Sequence, residues 1–136
     1  MKSLDQKATR IFLKLVEGMK RIGSNRKIDN TEGVFMPVCV EVIGKPTTKP
    51  RLVSPGLVVS VTHYHEVERD LVTDPEVTFL WTGKNIFPMT FEQGGMCYRQ
   101  WVKIEDGRIS YHKGGQADLA MFCNEWMRNI ADQQEL

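Results

Sequence analysis

Apolar residues near the N-terminus recur at three- and four-residue steps: Leu4, Ala8, Ile11, Phe12, Leu15, Met19 and Ile22. That spacing gathers them on one side of an α-helix, with Lys7, Arg10, Lys14 and Lys20 on other faces. Ser3 followed by Gln6 has the form of a capping box, so the pattern predicts a helix from there to near Gly23. The period then changes. After the turn-rich stretch "GSNRKIDNTEG", "VFMPVCVEVIG" is rich in β-branched residues and closes on glycine, which predicts a strand. "KPTTKPRLVSPG" carries three of the six prolines and reads as an extended connection that covers a sheet edge or projects as an arm.

From Leu57 to Val67 the alternation has a period of two. It assigns Val59, Val61, His63, His65 and Val67 to one strand face and Ser60, Thr62, Tyr64, Glu66 and Glu68 to the other. "DLVTDP" reads as a turn, since aspartate before proline commonly initiates one. "EVTFLWT" then aligns Val77, Phe79 and Trp81, and "GKN" makes a tight connection into "IFPMTFEQ", with Phe87, Met89 and Phe91 on a shared face. "MCYRQWVKI" and "RISYH" are further strands joined at "EDG". The closing segment, Ala117 to Ile130, places Leu119, Phe122, Cys123, Trp126 and Ile130 on one helical stripe, with Asp118 near its start, where a negative charge complements the helix dipole.

Short connections between strands favour antiparallel pairing, and two amphipathic helices need a sheet face to cover. The expected fold is therefore α+β: a mainly antiparallel, curved sheet of five or six strands flanked by N- and C-terminal helices. At 136 residues a single domain spanning 1–136 is expected to bury one continuous core. With 41% hydrophobic and 26% charged residues, neither a disordered tail nor a fibrous repeat is indicated. No apolar run reaches the length of a membrane span, and charges interrupt the N-terminus where a secretory signal would be apolar. A cytoplasmic location without membrane contact is expected.

Cys39, Cys97 and Cys123 are odd in number and far apart, which fits neither a disulfide framework nor a paired-cysteine zinc motif. Reduced, mostly buried thiols are expected. Charge is more uneven than the net +1 suggests: residues 1–51 hold 11 Lys and Arg against 5 Asp and Glu, giving +6, and the remainder holds 7 against 12, giving −5. Opposed segments can mean a basic face for an anionic partner, or two segments lying against each other in the fold. The second reading is preferred.

Two histidines one residue apart on a strand point to the same side and can reach one ion. His63 and His65, with a third ligand from Glu66, Glu68, Asp70, Asp74, Glu76 or His112, of which His112 at the end of the last strand is preferred for a metal, would make a metal-dependent hydrolase that works with an acidic partner, one alternative for the function. The competing reading makes His63 a structural hydrogen-bonding residue and expects no cofactor. Asp70, Asp74 and Glu76 lie close together, but no nucleophile triad, phosphate-cradling loop or nucleotide fingerprint accompanies them. Aromatic and cationic residues interleave from Trp81 to Tyr111, which suggests weak nucleic-acid binding as another alternative. Tyr98 and Trp101 have opposite parity, so they cannot both join one stacking platform.

The stretches "VTHYHEVERDLVTDPEVTFL", "FPMTFEQ", "YRQWV" and "FCNEWMRNI" together resemble a family of small bacterial domains of unknown function, commonly encoded on plasmids, phages and integrative elements. His63, Tyr64, Asp74, Pro75, Glu76, Pro88, Asn124 and Trp126 carry the resemblance, which spans roughly residues 35 to 132. It implies no activity. The expected function is a non-enzymatic interaction module of a bacterial mobile element that binds a protein partner or itself as a homo-oligomer. Tyr64, Asp74, Glu76, Arg99 and Trp101 are the residues expected to meet the partner.

Overall fold

The computed structural model describes residues 1–46, 56–105 and 108–136, with backbone only at residues 65–67 and 70–73. Most of the predicted proline-rich connection, and the "EDG" turn at 106–107, lie outside the described residues. Helix α1 (Gln6–Leu15) opens at Asp5 instead of Ser3, because the Asp5 carboxylate accepts the Ala8 N–H at 2.8 Å. It also ends well before Gly23. The Arg26 guanidinium donates to the carbonyls of Lys14, Leu15 and Glu17, using acceptors that a helix end leaves free. Met19 stays buried beyond that end whereas Ile22 is exposed, so the apolar spacing outruns the helix.

Arg26 belongs to β1 (Asn25–Ile28), a strand within the stretch read as a loop. Its sequence has little strand character, and pairing with β2 (Val38–Gly44) supplies what propensity does not. Next come β3 (Leu57–Val67), β4 (Asp70–Trp81), β5 (Ile86–Gln93) and β6 (Cys97–Gln100). The six strands form one open sheet in sequence order, each antiparallel to the next. This is the expected α+β architecture.

"DLVTDP" is strand where a turn was expected. The chain reverses earlier, at Glu68 and Arg69, both with positive φ (50° and 74°), and Val67 pairs with Asp70. Two left-handed residues make the hairpin loop whose twist suits the flanking strands, but Glu-Arg lacks the Asn-Gly signature that would reveal it. The Asp74–Pro75 peptide is cis and falls at a register shift, where a residue without an N–H is tolerated. A second shift sets Thr90 opposite Thr78 and Pro88 opposite Phe79, leaving Met89 as the extra residue. Phe91 is thereby turned away from Phe87 and Met89, against the simple alternation.

The predicted strand "MCYRQWVKI" divides at Trp101 into β6 and β7 (Val102–Glu105). With β8 (Arg108–Tyr111), β7 forms a separate two-stranded hairpin. Helix α2 (Lys113–Gln134) begins four residues before the predicted Ala117, with the His112 imidazole accepting the Gly115 N–H at 2.9 Å. Both glycines of "KGG" are helical, and position 115 is glycine because Trp101 packs there: a Cβ on Gly115 would lie 2.3 Å from its ring. Asp118 therefore falls outside the first turn, which contains no acidic residue.

Both helices cover one sheet face. Phe12 meets Phe79 and Trp81 edge-on at 5.1 and 6.2 Å, and Leu119, Cys123, Met127 and Ile130 complete the main core. Polar side chains of α2, with Gln116 and Gln134 buried, tie in the other segments. Gln116 accepts the Lys2 N–H and donates to the carbonyls of Lys2 and Pro88. Asn124 accepts the Asp5 N–H, and Gln134 both accepts the Asn30 N–H and donates to the Met36 carbonyl. On the opposite face the β7–β8 hairpin covers one end, where Val102 and Ile104 pack with Leu80, Met89, Val58 and Phe87. No helix among the described residues is long and apolar enough to cross a membrane.

Candidate functional site

The part of the outer sheet face that lies beyond the hairpin's cluster is polar. Strand register lays out two rows across it. One runs Cys39, Thr62, Glu76, Glu92 and Tyr98; the other runs Glu41, Ser60, Thr78, Thr90 and Gln100. Ser60 and Thr62 are only 6% and 2% exposed, so their hydroxyls need partners. Ser60 donates to Glu76 at 3.0 Å and Thr62 to the His63 carbonyl at 3.1 Å, while Thr78 and Thr90 share a hydroxyl–hydroxyl bond.

Glu76 and Glu92 are direct cross-strand neighbours, an arrangement that disfavours the free fold because like charges oppose one another. Burial, then the nearby Glu76, Cys39 and Glu41, push the Tyr64 phenol above its ordinary value. Burial likewise raises the Cys39 thiol, partly offset by the neighbouring Lys27. Both groups therefore stay protonated at neutral pH. They are hydrogen-bonding surface, not activated nucleophiles. The chemistry on offer is recognition: half-exposed carboxylates among hydroxyls, with the Tyr98 ring 55% exposed at the rim.

The structure separates the proposed metal ligands. His63 is 4% exposed on the helix side; its Nδ1–H donates to the Pro37 carbonyl at 3.1 Å, and its ring meets Trp126 edge-on at 5.7 Å. His112 caps the start of α2, whereas Trp126 lies some four turns along it, which puts the two histidines about 20 Å apart. The structure does not bring His63 and His112 together. The side chain of His65 lies outside the described residues. Among those described, no group of three His, Cys, Asp or Glu residues is placed to hold a metal ion.

Of the residues expected to meet a partner, Tyr64 and Glu76 share the outer face. Asp74 sits at the register shift and accepts from the Gln93 side chain. Arg99, paired with Phe91, is exposed on the helix side of β6. Trp101 is packed against the main core between His112 and Gly115. Sequence reasoning missed Glu92, Thr78 and Thr90. Their signal was the polar alternate position of β4 and β5, which becomes a surface only when cross-strand register is known.

Several residues that carried the sequence resemblance turn out to join elements together: His63 on Trp126 and the Pro88 carbonyl on Gln116 link the sheet to α2, and Asn124 on the Asp5 cap links α2 to α1. A small α+β domain with a helix-covered face and a partly open polar face is what fold and site define. Residues 7–136 match the family described as Domain of unknown function (DUF6908), and the chain belongs to that family. No curated protein and no solved structure matches it.

Proposed function

We propose that the domain is a non-enzymatic interaction module whose open outer sheet face binds a partner protein through a cationic surface. The observation that carries this reading is the direct opposition of Glu76 and Glu92 on a face that neither helix covers. A lysine or arginine from a partner would relieve the repulsion between them and gain charge-assisted hydrogen bonds. Ser60, Thr78 and Thr90 hold the surrounding surface in a fixed hydrogen-bonded arrangement, which limits the ordering cost of binding. The bacterial mobile-element setting and a cytoplasmic location belong to the same proposal, the former on sequence resemblance alone.

A photo-reactive phenylalanine analogue at Tyr98 tests it. Irradiation in an extract of the source cells should cross-link a partner, and a species of twice the mass would identify a second copy. The adduct should disappear when Glu76→Lys and Glu92→Lys are combined. Absence of an adduct, or one indifferent to the charge reversal, overturns the proposal.

A further inference from the structure

Part of the basic surplus of the N-terminal third, on α1 and the segments next to it, is gathered at the Trp81 end of the sheet. Lys7, Arg10 and Lys14 follow one another at three- and four-residue steps along one flank of α1, all exposed. Helix α1 lies across the Trp81 end of the sheet: Phe12 contacts Trp81, and the Leu4 N–H donates to Ile86 just after the β4–β5 turn. That turn carries Lys84. At the other end of the helix, the segment with Lys20 and Arg21 is tied to β2 by the Gly23 N–H donating to the Val42 carbonyl. Lys45 follows β2 directly. All four of these cations are exposed as well.

Seven cations thus share this end; Glu17 lies among them in sequence, and Asp5, the α1 N-cap beside Lys7, is paired with Arg128. None of the seven takes part in a described ion pair; those join Lys103 to Glu105, and Arg128 to Asp5 and Glu125. The preference for two segments neutralising each other does not hold for these residues. The row along α1 from Lys7 to Lys14 is about 10 Å long and one side chain wide, with Lys84 before it and Lys20 and Arg21 after it. A narrow row of unpaired cations suits a linear polyanion better than a plane of lipid headgroups.

We propose that this basic end binds the phosphate backbone of nucleic acid without reading bases. The contact is separate from the outer face, so either can fail alone. Phosphate contacts of this kind set affinity and salt dependence but carry no sequence information.

The test is fluorescence anisotropy with labelled oligonucleotides of about 20 nucleotides, single-stranded and duplex, from about 50 to 200 mM salt. Micromolar binding at the lowest salt is expected, indifferent to sequence. It should fall with a log–log salt slope of about −3 to −5, the release expected from four or five neutralised phosphates. Combining Lys7→Glu with Lys14→Glu should weaken binding at least tenfold; the milder Lys7→Gln and Lys14→Gln pair should act in the same direction, and melting curves check that both variants fold. The control makes an equal charge change on the β7–β8 hairpin, Lys103→Glu with Arg108→Glu, and should weaken binding less than threefold. No binding at low salt, equal losses in the two charge-reversal variants, or preference for anionic lipid vesicles over oligonucleotides would overturn the proposal.

Discussion

The two faces of the sheet are made by alternate residues of the same strands and do different things. On the helix side Val38, Val40, Val42, Val59, Val61, Val77 and Phe79 are fully buried, and stability comes from apolar area removed from water. On the outer side the same strands present Ser60, Thr62, Glu76, Thr78, Thr90 and Glu92. Hydroxyls there are satisfied by neighbours, and two carboxylates oppose each other. One face carries the main core, and the other, beyond the cluster under the β7–β8 hairpin, is partly open polar surface. Substitutions should therefore be costly on the first and mild on the second.

The largest difference is expected at Trp126, 6% exposed between His63, Phe122 and the main core. Trp126→Ala should destabilise the domain by about 3–5 kcal/mol, whereas Tyr98→Ala on the outer rim should stay within about 0.5 kcal/mol. Equal shifts in the urea midpoint would erase the distinction between the faces. Next comes Gln116, 1% exposed, whose amide serves three backbone groups. Gln116→Leu keeps the volume but strands those groups, at a cost of about 2–3 kcal/mol. A melting temperature equal to the parent's would show that water replaces the lost bonds.

The helix side was legible in the sequence because its physics is local. The stripe Leu119–Cys123–Trp126–Ile130 and the alternation Val59–Val61–His63 place residues on faces without reference to other strands. Failures occurred where a distant segment decides. Arg26 ends α1 from β1, the ring of Trp101 requires glycine at position 115, and β1 exists through its pairing with β2. The outer face was half legible: Ser60, Thr62 and Tyr64 were assigned together, but Glu92 joins Glu76 only after a register shift sets Thr90 opposite Thr78. Register shifts leave little trace in sequence, since one extra residue reverses every following side chain.

His63 connects stability to pH. Burial holds its imidazole below the ordinary value of 6.5, against the opposing influence of the Pro37 and Met36 carbonyls and Asp74. The folded state prefers the neutral ring, so stability should be full above pH 6.5 and decline as pH falls from there toward the lowered folded value. Asp5 acts in a separate window. The Ala8 N–H and Arg128 hold its carboxyl below 3.8, and that contribution is lost only as pH falls through the depressed value. Urea melts from pH 8 to pH 5 should show the decline in the parent chain and its disappearance in His63→Gln. Parallel curves would mean that some other group titrates.

The smallest expected effect is also the one that best separates surface from scaffold. Replacing Glu92 by Gln removes one of the two opposed carboxylates but leaves a polar side chain at a half-exposed position. If the outer face were selected for stability alone, such a change would be neutral or harmful. Cross-strand repulsion predicts the reverse: Glu92→Gln should stabilise the free domain by about 0.2–1 kcal/mol, more at low salt than at high, because screening weakens exposed charge pairs. The same substitution should weaken capture through the Tyr98 cross-linker, since the partner's cation meets one carboxylate fewer. Gain of stability with loss of binding is the signature of a surface whose charges serve a partner. Loss of stability in Glu92→Gln would instead make Glu92 part of the scaffold, and the open face would lose its claim to be the binding site.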